Sequence, residues 1–184
     1  MPTWLWVVIV VVAAIVVLGV VAAATRTRRS RNLQERFGPE YDRVAADAPT
    51  KRDAESELRE REKRREQFDI RPLDARDRDH FRSRWQDVQA EFVDDPPRAV
   101  GNADRLIQEV MRTRGYPVDD FETRAADLSV DHPRVVESYR SAHGIAVAHQ
   151  RGDAGTEDLR HAVQHYRELF DELVETHQTT EAAR

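Results

Sequence analysis

The chain has 184 residues, 29 basic and 34 acidic side chains, a formal net charge of −5 and no cysteine. Its length suits one modest domain with an appendage. Without cysteine there are no disulfides, thiolate nucleophiles or cysteine-ligated zinc or iron–sulfur sites.

Every charged side chain lies after residue 24. The first predicted element, WLWVVIVVVAAIVVLGVVAAA from Trp4 to Ala24, has 21 residues and no charge. As a helix it spans roughly 31 Å, against a hydrocarbon core of about 30 Å. Trp4 and Trp6 stand at one end, where indoles favour the headgroup layer. A cleaved signal peptide needs a basic leader and a shorter apolar stretch, and MPT carries no side-chain charge. The basic residues Arg26, Arg28, Arg29 and Arg31 follow the apolar stretch. The positive-inside rule then predicts a single-pass protein of the cell membrane, with the N-terminus outside and the C-terminal domain cytoplasmic. The lipid bilayer is the expected partner of residues 4–24. Gly19 and Ala23 form a small-xxx-small pair, which suits close helix approach and a homo-oligomer.

Residues 25–50 form a basic juxtamembrane segment, read as a short helix broken at Gly38–Pro39 and ended by Pro49. Residues 51–73 read as a charged helical spacer. Thirteen of the sixteen residues from Lys51 to Glu66 are charged, and Thr50 with Asp53 resembles a capping box. Glu55–Arg59, Glu57–Arg61 and Glu60–Arg64 have favourable i,i+4 spacing. The apolar stripe of Ala54, Leu58 and Phe68 is thin, which predicts a solvated rod.

Residues 74–177 show strong helical periodicity and predict an all-α bundle of four main helices plus a short one. The first carries Phe81, Trp85, Val88 and Phe92 on one face. Asp95 and Pro96 then supply a cap and a first-turn residue, and the second carries Val100, Ala103, Leu106, Ile107, Val110 and Met111. Gly115 is placed to end it in a left-handed conformation. DFETRAADL forms the short helix. In LSVDHPRVVESYRSAHGIA, Asp131 is predicted to cap a helix opened by His132 and Pro133, and His143 falls on the apolar face with Val136, Tyr139 and Ala146. The last helix is predicted to start from a Thr156 cap. Residues 178–184 read as a disordered tail. No strand alternation occurs.

Residues 74–184 carry 15 basic and 23 acidic side chains, so a nucleic-acid partner is not expected. His161 and His165 have a workable metal-ligand spacing, but the Glu of HExxH is missing. Asp74, Asp77, Asp79 and His80 fall at a helix start, and Glu91, Asp94 and Asp95 around a helix joint; both sets suit capping. The chain has no phosphate-binding glycine loop and no GxSxG elbow. No catalytic, cofactor or metal residue is therefore assigned.

ERFGPEYDRV, FVDDPPRAV, RGYP, LSVDHPRVV and YRSAH together resemble a group of uncharacterised bacterial single-pass membrane proteins. The resemblance covers most of the chain after the apolar stretch and implies no known activity. The expected function is a membrane-tethered helical protein-interaction or scaffold module with a protein partner. The alternative is a metal-binding or enzymatic domain using the C-terminal histidines and acidic residues.

Overall fold

Asp95 is the single residue between two long helices. Its side chain accepts the backbone N–H of Arg98, while prolines occupy the first helical positions, where no donor is needed. The computed structural model describes Thr25 and residues 27–175. The apolar stretch with Trp4 and Trp6, Arg26 and the 178–184 tail lie outside the described residues. Among the described residues the protein is all-α, and no helix is long and apolar enough to cross a membrane.

Among the described residues eight helices follow one another: α1 over residues 27–37, α2 Pro39–Asp47, α3 Lys51–Arg65, α4 Ala75–Asp94, α5 Pro96–Arg114, α6 Phe121–Asp131, α7 Val136–Gln150 and α8 Thr156–Glu175. The four main helices of the bundle are α4, α5, α7 and α8, and the short one is α6. α8 packs against α4, α5 and α7. The predicted apolar faces meet there: Phe81, Trp85 and Val88 with Leu106, Ile107 and Val110, and with Tyr166, Phe170 and Leu173. Trp85 stacks on Phe170 with ring centroids 4.7 Å apart.

Gly115 ends α5 at φ 95, as its placement predicts. It has a second reason to be glycine: an added Cβ would lie 2.3 Å from the Asp69 carbonyl oxygen. The chain passes close there because Arg71 N–H donates to the Arg114 carbonyl at 2.7 Å, and Arg114 Nε donates back to the Arg71 carbonyl. Ile70 and Leu73 consequently join the bundle core.

Residues 51–73 depart from the expected solvated spacer. Ala54 and Leu58 are fully buried, and α3 packs against both α2 and α6. A second core collects Leu33 and Phe37 of α1, Tyr41 and Val44 of α2, Ala54 and Leu58 of α3, and Val130 of α6. The stripe is too thin to hold a lone helix, but α1 and α2 supply the missing apolar surface. Fully burying a side chain such as Phe37 or Leu58 contributes about 1.5–3 kcal/mol. Gly38, at φ 48, breaks the chain between α1 and α2 and lets it turn back. The α1–α3 unit is thus a three-helix pedestal rather than a rod.

Three local expectations are corrected. Asp131 is the last residue of α6 and does not cap α7, which starts at Val136 without a side-chain cap. A backbone turn opens α7 instead, with the His132 carbonyl accepting from Val135 and Val136. Thr156 is the first helical residue of α8, and the side-chain bond at that end runs from Gly155 N–H to the Asp158 carboxylate at 2.8 Å. Of the three predicted charge pairs on α3, Glu55–Arg59 and Glu57–Arg61 form, whereas Arg64 is taken by α6 and its preceding loop.

Candidate functional site

The most concentrated chemistry lies where the pedestal meets the bundle. Ala54, Leu58, Arg61 and Arg65 continue one helical stripe on α3, at i, i+4, i+7 and i+11. Its apolar half fills the second core and its arginine half faces the bundle. Arg61 Nη1 donates to Glu40 Oε1 at 2.6 Å and to Ser129 Oγ at 3.1 Å. The same Glu40 oxygen accepts Arg140 Nη2 at 2.8 Å and Arg43 Nη2 at 2.9 Å. One buried carboxylate therefore joins α2, α3 and α7. Burial alone would raise the Glu40 pKa; hydrogen bonds from Arg43 and Arg61 and the charge of Arg140 outweigh it and hold the group below the usual carboxylate range.

Two more contacts extend the junction. Arg64 Nε donates to Asp127 Oδ1 at 2.9 Å, and its Nη2 reaches Asp119 at 2.8 Å. Arg65 Nε pairs with Asp131, which also accepts the Tyr116 hydroxyl at 2.7 Å. Asp127 is almost fully buried, and burial pushes its pKa up against the pull of Arg64. A cleft of about 560 Å³ opens beside these groups. Its wall carries Arg43, Arg61, Arg64 and Arg140 against Glu57, Glu60, Glu122 and Asp127. Four charges of each sign leave it no net pull on either a phosphate or a cation. The arrangement does its work between helices, fixing how the pedestal meets the bundle.

A second buried group surrounds His132. Its Nδ1 lies 3.0 Å from Glu172 on α8, close to Tyr116. Burial pushes the imidazole below its ordinary value, against the opposing hydrogen bond of Glu172. Arg114 is buried alongside, and its Nη1 donates to the Leu173 carbonyl at 2.9 Å. These contacts tie the ends of α5, α6 and α8 together.

The other residues singled out in the sequence are dispersed. Arg28, Arg29 and Arg31 are exposed on α1. His143 is half-buried on the bundle face, as expected, and stacks on Phe121 with centroids 3.6 Å apart. His161 is exposed and His165 half-buried on α8. Asp74 caps α4 by accepting Asp77 N–H at 2.7 Å, while Asp79 and His80 are exposed. Glu91 accepts Asn102 and pairs with Arg98; Asp95 is the α5 cap, and Asp94 is exposed. Among the described residues no group of three or more His, Cys, Asp or Glu side chains is arranged to hold a metal ion.

Glu40, Asp127 and Arg140 carry the junction and were not predicted. Only Arg61 had a readable signal, its place on the stripe of Ala54 and Leu58. Comparison of the chain with protein-family models, with curated proteins and with solved structures gives no match.

Proposed function

We propose that the protein is a membrane-tethered helical interaction module, in which residues 4–24 anchor the chain and the pedestal presents the bundle to a protein partner. The observation that carries this reading is the Glu40 junction. A flexible tether needs no buried carboxylate shared by three arginines. A module that holds its binding face at a set position does. The bundle's acidic excess favours a partner with a basic surface. The motifs behind the resemblance to bacterial single-pass proteins support a structural use of those residues. Gly38–Pro39, Asp95–Pro96, Gly115–Pro117 and Asp131–Pro133 all fall at helix ends or joints.

The test has two parts. Full-length protein should stay in the membrane fraction after alkaline extraction, and a C-terminal reporter should be active only in the cytoplasm. A soluble protein or an active external reporter refutes the anchor or its direction. Photocrosslinkers at the exposed Arg160 and Arg167 of α8 should then give one discrete protein adduct in native membranes. Labelling confined to lipid refutes the interaction reading.

A further inference from the structure

We propose that the free end of the pedestal is a docking surface for an anionic phospholipid bilayer, built jointly by the starts of α1 and α3. The proposal rests on the reading of residues 4–24 as a membrane anchor and adds an attitude for the domain above it.

The geometry comes from how α1 and α3 run. One groove between them is walled by Thr27, Ser30 and Arg31 of α1 and by Lys51 and Arg52 of α3. Further along, Arg36 of α1 pairs with Glu62 of α3 at 2.8 Å. Early residues therefore face early residues and late face late, so the two helices run the same way. The junction residues Arg61, Arg64 and Arg65 lie at the late end of α3. The bundle thus sits at one end of the pedestal, and the starts of α1 and α3 form the other.

That free end is the one closest to the apolar stretch. Only Thr25 and Arg26 separate Ala24 from Thr27, and the three peptide steps reach at most about 11 Å even when fully extended. Folding therefore brings Lys51 and Arg52, remote in sequence from the arginine collar, beside Arg31 in one groove, with Arg28 and Arg29 on the same start of α1. All five side chains are exposed. Of the nearby acids, Asp47 pairs with Arg43 at 3.2 Å, and Glu55, which lines the same groove, pairs with Arg59 at 3.1 Å; Asp53 accepts the Thr50 hydroxyl at 2.7 Å and keeps its charge, so the five cations outnumber the acids around them. Glu55 also lies 4.0 Å from Lys51, a loose contact that leaves the ammonium exposed. The result is a cationic surface within about a Debye length of the expected headgroups. An anionic bilayer fits it because the same chain enters the bilayer there.

The absence of native cysteine makes the test direct. Fluorophores are placed singly at Ala46→Cys, at the free end of the pedestal, and at Ala90→Cys on α4. The full chain is reconstituted in nanodiscs carrying a headgroup nitroxide quencher, with and without phosphatidylserine. Quenching at position 46 should exceed that at position 90 and should rise with phosphatidylserine. Lys51→Glu with Arg52→Glu should remove that rise, and Lys51→Gln with Arg52→Gln should reduce it, with unchanged helical melts. Equal quenching at both positions, no response to phosphatidylserine, or an undiminished response in both variants overturns the proposal. Alkaline extraction reads the anchor separately. A chain that is extracted yet retains the lysine- and arginine-dependent quenching keeps the docking surface and loses the anchor.

Discussion

Glu40 and Arg140 are 100 residues apart in the chain and 2.8 Å apart in space. Their contact crosses from pedestal to bundle, and Arg61 closes the triangle from α3. Glu40→Gln leaves buried guanidinium groups without their counter-charge. Breaking a buried pair in this way typically costs about 3–5 kcal/mol. Denaturant melts of the full-length protein should show a loss of that order. The double variant Glu40→Gln with Arg140→Gln should lose less than the sum of the single changes, because the second removes a charge the first has stranded. Additive losses would show that the two side chains act independently.

Acidity should weaken the protein in two separable windows. Glu40 has a depressed pKa, so its contribution is complete above the ordinary carboxylate value and is lost as pH falls through the folded value below it. His132 is also depressed, by burial first. Below about pH 6.5 the unfolded chain takes up a proton that the buried imidazole resists, so stability falls with pH in that window. The facing groups are Glu172, Asp131 and Arg114. The denaturant midpoint should drop between pH 7.5 and 5.5, before the carboxylates titrate. His132→Gln should flatten most of that slope, leaving the smaller part from half-buried His143, which is depressed in the same sense. An unchanged slope in the variant would remove His132 as its source.

Leu58→Ala tests the pedestal core. Leu58 is fully buried among Phe37, Val44 and Ala54. Truncating a buried leucine costs about 2–5 kcal/mol, depending on how far the cavity collapses. A solvated spacer would tolerate the same change within about 0.5 kcal/mol. Chemical melts of the parent and variant distinguish these outcomes directly.

The bundle was legible because its signals are local. Phe81, Trp85 and Val88 on α4, and Val100 to Met111 on α5, announce their faces by spacing alone, and Asp95 and Gly115 mark helix ends by chemistry intrinsic to each residue. The pedestal was harder to read because its core is shared. Ala54 and Leu58 look insufficient until Phe37, Tyr41 and Val130 are placed beside them, and no periodicity within α3 reports those partners. Charge caused the remaining errors. Glu60–Arg64 has good spacing, yet Asp127, 63 residues further on, supplies the buried acceptor that Arg64 takes. Asp131 before His132 and Pro133 has the composition of a cap, but Arg65 and Tyr116 claim its carboxylate.

Asp131 separates these accounts most sharply. Asparagine and serine cap helices about as well as aspartate, so a capping role would tolerate Asp131→Asn and Asp131→Ser with changes of a few tenths of a kcal/mol. The structure instead gives Asp131 two long-range donors, the Arg65 guanidinium and the Tyr116 hydroxyl. Asparagine keeps an oxygen for Tyr116 but loses the charge facing Arg65, while serine is too short to reach both. Hydrogen bonds to charged groups contribute about 1.5–3 kcal/mol, and this pair is only partly exposed. Asp131→Asn should therefore cost about 1–2 kcal/mol and Asp131→Ser more. Coupling provides the stricter check. With Arg65→Met in the background, Asp131→Asn should become nearly neutral, because the cation that needed the carboxylate is gone. If Asp131→Asn costs the same in both backgrounds, or nothing in either, the Arg65 contact contributes little and the end of α6 is held by Tyr116 and backbone bonds alone.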